Sequence, residues 1–444
     1  MATARGWRLV DAVLLLLLVL LPLMLLVGSA EGTSRAPTVL FWLLLVLPLL
    51  CLPWLFLRRD PDEVQAPTAV AGRLALQLAA AEDLASLAAP VVDVDRAYAQ
   101  AGIPVVEGRL RTAAHRAFAT LEQALAPRGL TPLIEDAGHD HVRVTALPFR
   151  VDGELRRPAS VIPNVVLLLA TLATTVWAGA SQQGVNLLHE PSRFAVGLPY
   201  AVALLSILGV HELGHYFVAR AHGVNVTLPY FIPVPMGLGT FGAFIQIKSL
   251  IKTRRAVFDI GIAGPLAGLV VALPVLYFGL RGTLPVEDGG RLAGVHVGSS
   301  MLLSLMYQLA NGGALGEEMI RLTPVAFAGW IGVFITALNL MPVGQLDGGH
   351  IAYGLFGRRW AARIGFAAFA VMAALGLTVW PGLLSWALII ALIAGFSHMP
   401  ALDDVTPPDW KRFALGAVAL ILLVLIVVPV PGALKELLLD SPYL

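Results

Sequence analysis

The sequence holds one cysteine, Cys51, among 444 residues. A lone thiol closes no internal disulfide and builds no thiolate cluster, so a bound metal must be held by His, Asp or Glu. Charge is scarce as well. Only 13% of residues are Asp, Glu, Lys or Arg, and the net charge is +1, whereas soluble domains carry about 25% charged residues. There is no basic surplus to neutralise a phosphate backbone, and no nucleic acid is expected as a partner. Hydrocarbon takes the place of charge: 57% of the chain is hydrophobic. This is the composition of an integral membrane protein in a lipid bilayer.

About 20 apolar residues cross a bilayer as a helix. Apolar runs stand at 12–27 and 38–57, then at 161–180, 194–221, 258–280, 325–342, 364–380, 383–396 and 413–428. The first follows Arg5 and Arg8 and precedes Gly28-Ser29-Ala30, the layout of a signal peptide. It is long for one and a second run follows at once, so it is read as an uncleaved transmembrane helix. Residues 301–309 are apolar but short and read as interfacial. The one extended polar region is 58–158. Within it, 71–89 and 111–126 read as amphipathic helices, and 141–150 alternates like a half-buried strand.

The expected fold is mainly α, a polytopic helical membrane protein with a small α+β soluble N-terminal domain. The expected division is a transmembrane hairpin at 1–57, a cytoplasmic α+β domain at 58–158, a membrane core at 159–398, and an exposed linker with a C-terminal transmembrane helix at 399–444. Basic residues such as Arg156, Arg220, Lys252, Arg358 and Lys411 share one side if the spans alternate. That side is assigned to the cytoplasm, and a bacterial inner membrane is the expected location.

Residues 225–252 are apolar yet broken by Pro229, Pro233 and Pro235, which no continuous helix accommodates. From 241 to 248 the pattern alternates. Irregular backbone at membrane depth survives only when buried in protein or facing water, so a re-entrant loop with a β-edge is expected. Phe241, Gly242, Ala243 and Phe244 are its candidate substrate-binding residues, because an open edge can add an extended peptide as a strand. A loop that only plugs the core is the alternative.

The chemistry centres on His211-Glu212-Leu213-Gly214-His215. Positions i and i+4 share a helix face, so the two imidazoles can grip one zinc while Glu212 activates a water. Imidazoles and a carboxylate near the end of a lipid-spanning run need a functional reason. Zinc needs a third protein ligand. Ala221 stands where one soluble class would place a third histidine, which excludes that class. Two carboxylates remain: Asp347, favoured because Pro342 and Gly348-Gly349 break the helix around it, and Asp259, which otherwise reads as a helix N-cap. His222 faces away from the pair, His139 and His141 read as a polar turn, His350 as a support behind the ligands, and His398 as a loop residue.

The pentad, followed by Asn339-Leu340-Met341-Pro342 and Leu346-Asp347-Gly348-Gly349, resembles the site-2 protease family of intramembrane zinc metalloproteases. The resemblance runs from about 195 to 360. Gly239-Thr240-Phe241-Gly242-Ala243-Phe244, the glycines Gly261, Gly264 and Gly268, and the polar N-terminal region resemble its chloroplast branch named for ethylene-dependent gravitropism deficiency and yellow-green leaves. Nothing like a PDZ module separates the two motifs.

The resemblance implies one Zn2+ ion held by His211, His215 and Asp347. It implies Glu212 as general base and then proton donor, and Asn339 as a catalytic group positioning substrate or polarising the scissile carbonyl. The implied activity is regulated intramembrane proteolysis of a transmembrane protein substrate. Gly261, Gly264 and Gly268 read as tight helix packing without chemistry. A noncatalytic scaffold or chaperone that kept the fold is the alternative, and the intact Glu212 speaks against it. A transporter would explain neither the pentad nor the distant aspartate.

Overall fold

The computed structural model describes residues 81–428 except 101–102, 149–160, 236, 282, 284–294, 298–299, 313–318 and, within 379–399, all but 387, 390 and 395. The expected first two spans, nearly all of the expected span at 383–396, and His398 lie outside the described residues.

The first described elements are α1 (Ala81–Ala88), β1 (Val92–Gln100), β2 (Ile103–Leu110), α2 (Ala114–Leu125), β3 (Thr131–Gly138) and β4 (His141–Leu147). The strands form one antiparallel sheet in the order β1-β2-β4-β3. Alternation sets its packing. Val142, Val144 and Ala146 of β4 point into a core with Leu121 and Leu125 of α2 and Leu84 of α1. His139 and Asp140 form the β3–β4 turn with positive φ, and the His141 ring pairs with Asp95 at 3.1 Å. The expected polar turn is what the structure has there.

The remaining elements are α3 (Ile162–Gln182), α4 (Leu198–Ala221), β5 (Tyr230–Pro233), β6 (Thr240–Phe244), α5 (Arg254–Leu280), β7 (Val295–His296), α6 (Met301–Asn311), β8 (Met319–Ile320), α7 (Pro324–Leu340), α8 (Asp347–Phe356), α9 (Arg358–Thr378) and α10 (Trp410–Val427). Among the described residues, four stretches are long and apolar enough to cross a membrane: Ile162–Gln182, Pro191–Ala221, Arg254–Leu280 and Trp410–Val427. The apolar α7 is shorter. The chain is thus a polytopic helical membrane protein with small sheet regions.

Burial places these helices. In α5, 61% of the most apolar window is buried, against 17% in α10. Hence α5 is the central post and α10 a peripheral helix. The centre is assembled by glycines that let backbones touch. A Cβ on Gly214 would lie 2.7 Å from the Ala263 carbonyl oxygen, and one on Gly354 would lie 2.6 Å from Phe258 Cβ. These two positions bring α4 and α8 into close contact with α5, at Ala263 and at Phe258.

Two expectations are corrected. Asp259 does not cap a helix: α5 begins earlier, at Arg254, where the Thr253 side chain accepts the Ala256 N–H at 3.2 Å. Asp259 sits one turn inside and is paired with Arg412 of α10 at 2.7 and 2.5 Å and with His222 at 3.0 Å. The ion pair with Arg412 and the contact with His222 take this carboxylate up away from the pentad. The stretch after 399, expected to be exposed, contains a buried segment. Ala401, Leu402, Asp403 and Asp404 are each at most 5% accessible, because their backbone pairs with β3 and with residues 251–252.

The crossing of α5 and α8 makes one prediction. Gly354→Val forces a branched side chain into Phe258 and overpacks the seam, at a cost of about 1–3 kcal/mol. Thermal unfolding in detergent should show a lowered midpoint, while Gly209→Ala, where a Cβ meets only Phe231 at 3.7 Å, should leave it unchanged.

Candidate metal centre

The pentad lies in the second half of α4. Helical spacing stacks His211 and His215 on one face, and Glu212 is turned roughly 100° from His211. All three are buried. The helix stops soon after at Gly223, whose φ of 70° allows its N–H to reach the Arg220 carbonyl, as left-handed helix ends do. Asp347 comes from α8, whose start lies against Gly261 of α5, close to where Gly264 faces His215. The chain leaves α7 at Leu340, turns through Pro342 and Gly344, and restarts as α8 with Asp347 in the first turn. A Cβ on Gly348 would sit 2.0 Å from the Leu340 carbonyl oxygen, and one on Gly349 would sit 2.0 Å from that of Gly344. Only glycines let α8 start this tightly against its own loop. The carboxylate also faces the positive end of its helix.

These elements bring three donor atoms together. His211 Nε2 and His215 Nε2 are 3.2 Å apart. Asp347 Oδ2 lies 3.2 Å from the first and 3.3 Å from the second. Among the described residues this is the one cluster of three potential metal ligands. A tetrahedral ion bonded at about 2.0–2.1 Å spaces its ligands about 3.3 Å apart, so the triangle has the dimensions that zinc requires. The buried Asp347 Oδ2 also accepts no hydrogen bond of good geometry. An unsatisfied buried carboxylate oxygen facing two imidazole nitrogens is costly unless a cation completes it. The donor set, two nitrogens and one oxygen, suits zinc.

The surroundings orient the ligands. His215 Nδ1 donates to the Ile260 carbonyl at 2.7 Å, which leaves the Nε2 lone pair for a metal. A Cβ on Gly264 would stand 2.1 Å from His215 Nε2, and one on Gly268 would stand 3.1 Å from His211 Nδ1. The glycine row of α5 therefore makes room for the ligands themselves, a role that its expected reading as plain helix packing missed. The i, i+4 recurrence of Gly264 and Gly268 was visible; what it faced was not. The Ile260 carbonyl had no sequence signal, since any residue supplies one.

The ligand face opens into a cavity of about 230 Å³ whose lining includes His211, Glu212, Ala243, Phe244, Asn339 and Asp347. Asn339 Nδ2 stands 3.3 Å from His211 Nε2. His350 lies on the wall, its Nδ1 donating to the Leu346 carbonyl at 2.9 Å, and is not part of the triangle. The β5–β6 hairpin forms the opposite wall, with Tyr230 across from Phe244 and Phe231 across from Ala243. The pairing continues as isolated contacts between 225–227 and 246–248. The backbone of Ile245 approaches the Glu212 carboxylate. Of the four expected substrate-binding residues, Ala243 and Phe244 line the cavity. Phe241 is 71% exposed on the hairpin's outer side, and a Cβ on Gly242 would meet open space; neither lines the cavity.

With this geometry in view, residues 199–379 match the model of peptidase family M50. The chain is similar to the probable zinc metalloprotease EGY1, chloroplastic, of Arabidopsis thaliana, with 37% identity over 243 residues, covering 54% of this chain and 44% of that protein. It is similar to the Arabidopsis EGY2 protein of the same description, with 35% identity, covering 53% of this chain and 42% of that protein. The EGY1 protein of Oryza sativa subsp. japonica gives 35% identity over 54% and 42% of the two chains. The chain spans less than half the length of these curated relatives. The resemblance read from the motifs is borne out, including its branch. The expected bacterial inner membrane is corrected: these relatives are chloroplastic plant proteins and point to a chloroplast membrane. Charge bias orients spans but does not say which membrane holds them.

The glycine row carries a test. Gly264→Ala places a methyl group against the metal-facing nitrogen of His215 and should lower zinc affinity about tenfold or more. Gly209→Ala, where a Cβ meets only Phe231 at 3.7 Å, should leave it unchanged. Zinc content of the purified proteins after competition with a calibrated chelator measures both.

Proposed function

We propose that this chain, with peptidase family M50 matched over residues 199–379, is an intramembrane zinc metalloprotease that hydrolyses a peptide bond in or near the transmembrane segment of another membrane protein. The observation that carries this reading is the position of Glu212. It is a buried carboxylate that lines one cavity with the three metal-ligand residues and with Ala243 and Phe244 of β6. Neither a scaffold nor a transporter has use for that arrangement.

His211, His215 and Asp347 would hold the ion. When bound, zinc lowers the pKa of a water from 15.7 to about 7 and polarises a carbonyl. The residues of the chain supply the rest. Glu212 takes the proton from the attacking water and later delivers it to the leaving amine. The hydrogen bond from His215 Nδ1 to Ile260 keeps that imidazole in one tautomer throughout. Asn339, on the cavity wall beside His211, has an amide to orient the scissile carbonyl.

The substrate must be extended, because a helix hides its amides in its own hydrogen bonds. Among the described residues β6 pairs only with β5, so its outer edge can receive a peptide strand beside Glu212. Ala243 and Phe244 would contact that strand. A transmembrane substrate with helix-breaking residues near the cut is the class this site fits. The cut would release a membrane-held regulator or clear a remnant signal peptide.

Glu212→Gln removes the base and keeps all three ligands. Cleavage of a co-expressed transmembrane substrate should fall by about 10²–10⁴-fold while zinc content stays at one ion per chain. Chelation should abolish cleavage by the unmodified protein, and stoichiometric Zn2+ should restore it. Undiminished cleavage by Glu212→Gln would end the protease reading.

A further inference from the structure

We propose that α8 is a strut through which the four-stranded sheet sets the position of Asp347. The inference rests on the metal-centre reading. Asp347 is the first residue of α8, and the other end of the helix is gripped from several directions at once. Arg254, buried at the start of α5, donates through Nε to the Gly354 carbonyl at 3.2 Å and through Nη2 to the Leu355 carbonyl at 2.7 Å. Tyr353, with 0% of its surface accessible, donates to Asp404 Oδ1 at 2.6 Å and accepts the Ala401 N–H at 2.6 Å. A tyrosine hydroxyl, an arginine and a carboxylate are thus committed in the interior to the far end of one ten-residue helix. None of the three lines the metal cavity.

The segment that holds Tyr353 belongs to the sheet as much as to the membrane core. Ile134 of β3 donates to the Leu402 carbonyl at 2.8 Å and accepts from the Asp404 N–H at 3.0 Å. On its other side the same segment bonds to the core: Leu402 N–H reaches the Ile251 carbonyl at 3.0 Å, and Asp403 N–H reaches that of Lys252 at 2.9 Å. Leu402 is packed in the sheet's own core, and Ile251 lines the metal cavity. Just past α8, Arg358 pairs with Glu135 of β3 at 2.9 Å, and Arg359 lies 3.9 Å from Asp136. The sheet is therefore tied to the end of α8 through the 401–404 segment, which it holds by a backbone ladder and which holds Tyr353, and through two ion pairs to Arg358 and Arg359 at the start of α9.

A short helix moves as a rigid body, because its backbone hydrogen bonds are stiff along the axis. Displacement at its far end is delivered to Asp347, and the triangle of 3.2–3.3 Å does not tolerate a shift approaching 1 Å. Arg254, Tyr353 and Asp404 act through α8 and are positioning residues. The sheet, which among its described residues has no cluster of metal-ligand groups, acquires a role: its docked state is the state in which the third ligand is in reach.

The test uses the full chain in detergent, with Co2+ as the probe and its visible d–d absorption as the signature of ligand geometry. Tyr353→Phe and Arg358→Glu should each weaken Co2+ binding about tenfold and shift the d–d bands, with gel-filtration behaviour unchanged. The double variant Arg358→Glu, Glu135→Arg restores the ion pair in reverse and should recover both affinity and spectrum. Folded single variants with unmodified cobalt affinity and bands would overturn the proposal, as would a double variant no better than Arg358→Glu alone. A wild-type chain lacking a cobalt spectrum that His215→Ala abolishes would remove the metal centre itself, and the coupling with it.

Discussion

The carboxylate of Asp347 faces the two imidazoles of α4 across a gap of 3.2–3.3 Å, with its Oδ2 buried. In such a place an unaccompanied carboxylate is expensive, so the arrangement makes sense only as three quarters of a coordination shell. The rest of the membrane core can be understood as what that meeting requires. Two helices that are not neighbours in sequence must approach one post, α5. They do so over Gly214 and Gly354, while Gly264 and Gly268 leave hollows where the imidazoles lie. A side chain at any of these positions would separate the ligands or fill their space.

The same constraint explains the hairpin. Under the proposed function, a peptide bond inside a membrane would be protected by helical hydrogen bonding. The chain has a strand edge and, on the ligand side of α4, a cavity lined in part by Ala243 and Phe244. Proline and glycine between 229 and 242 keep this stretch from becoming another helix, and its backbone groups are satisfied locally, as in the bond from Gln246 N–H to Thr227 Oγ1. The resulting geometry presents extended backbone next to Glu212.

Much of this was legible in the chain and some was not, for physical reasons. The pentad announces itself because helical periodicity converts four residues of separation into one shared face. Asp347 was favoured because proline and paired glycines around a carboxylate mark a helix break with close backbone approach. Asp259 reads as a cap in the sequence, since its partner Arg412 lies 153 residues away and no local pattern signals such a pairing. The stretch around Ala401–Asp404 looked like an exposed linker, with prolines at 400, 407 and 408. Its burial depends on a backbone ladder with β3 and residues 251–252, and backbone bonds carry no sequence signature. Phe241 and Gly242 share the strand of Ala243 but do not line the cavity, which alternation alone does not show.

The central claim is that two imidazoles and one carboxylate from separate helices hold a single zinc ion. X-ray absorption at the zinc edge of the purified, zinc-loaded chain tests it most directly. The account predicts one zinc per chain, four-coordinate with nitrogen and oxygen donors at about 2.0–2.1 Å, two of them showing imidazole scattering, and loss of this environment in Asp347→Ala. An unchanged zinc environment in Asp347→Ala, or a spectrum without paired imidazoles, would contradict it.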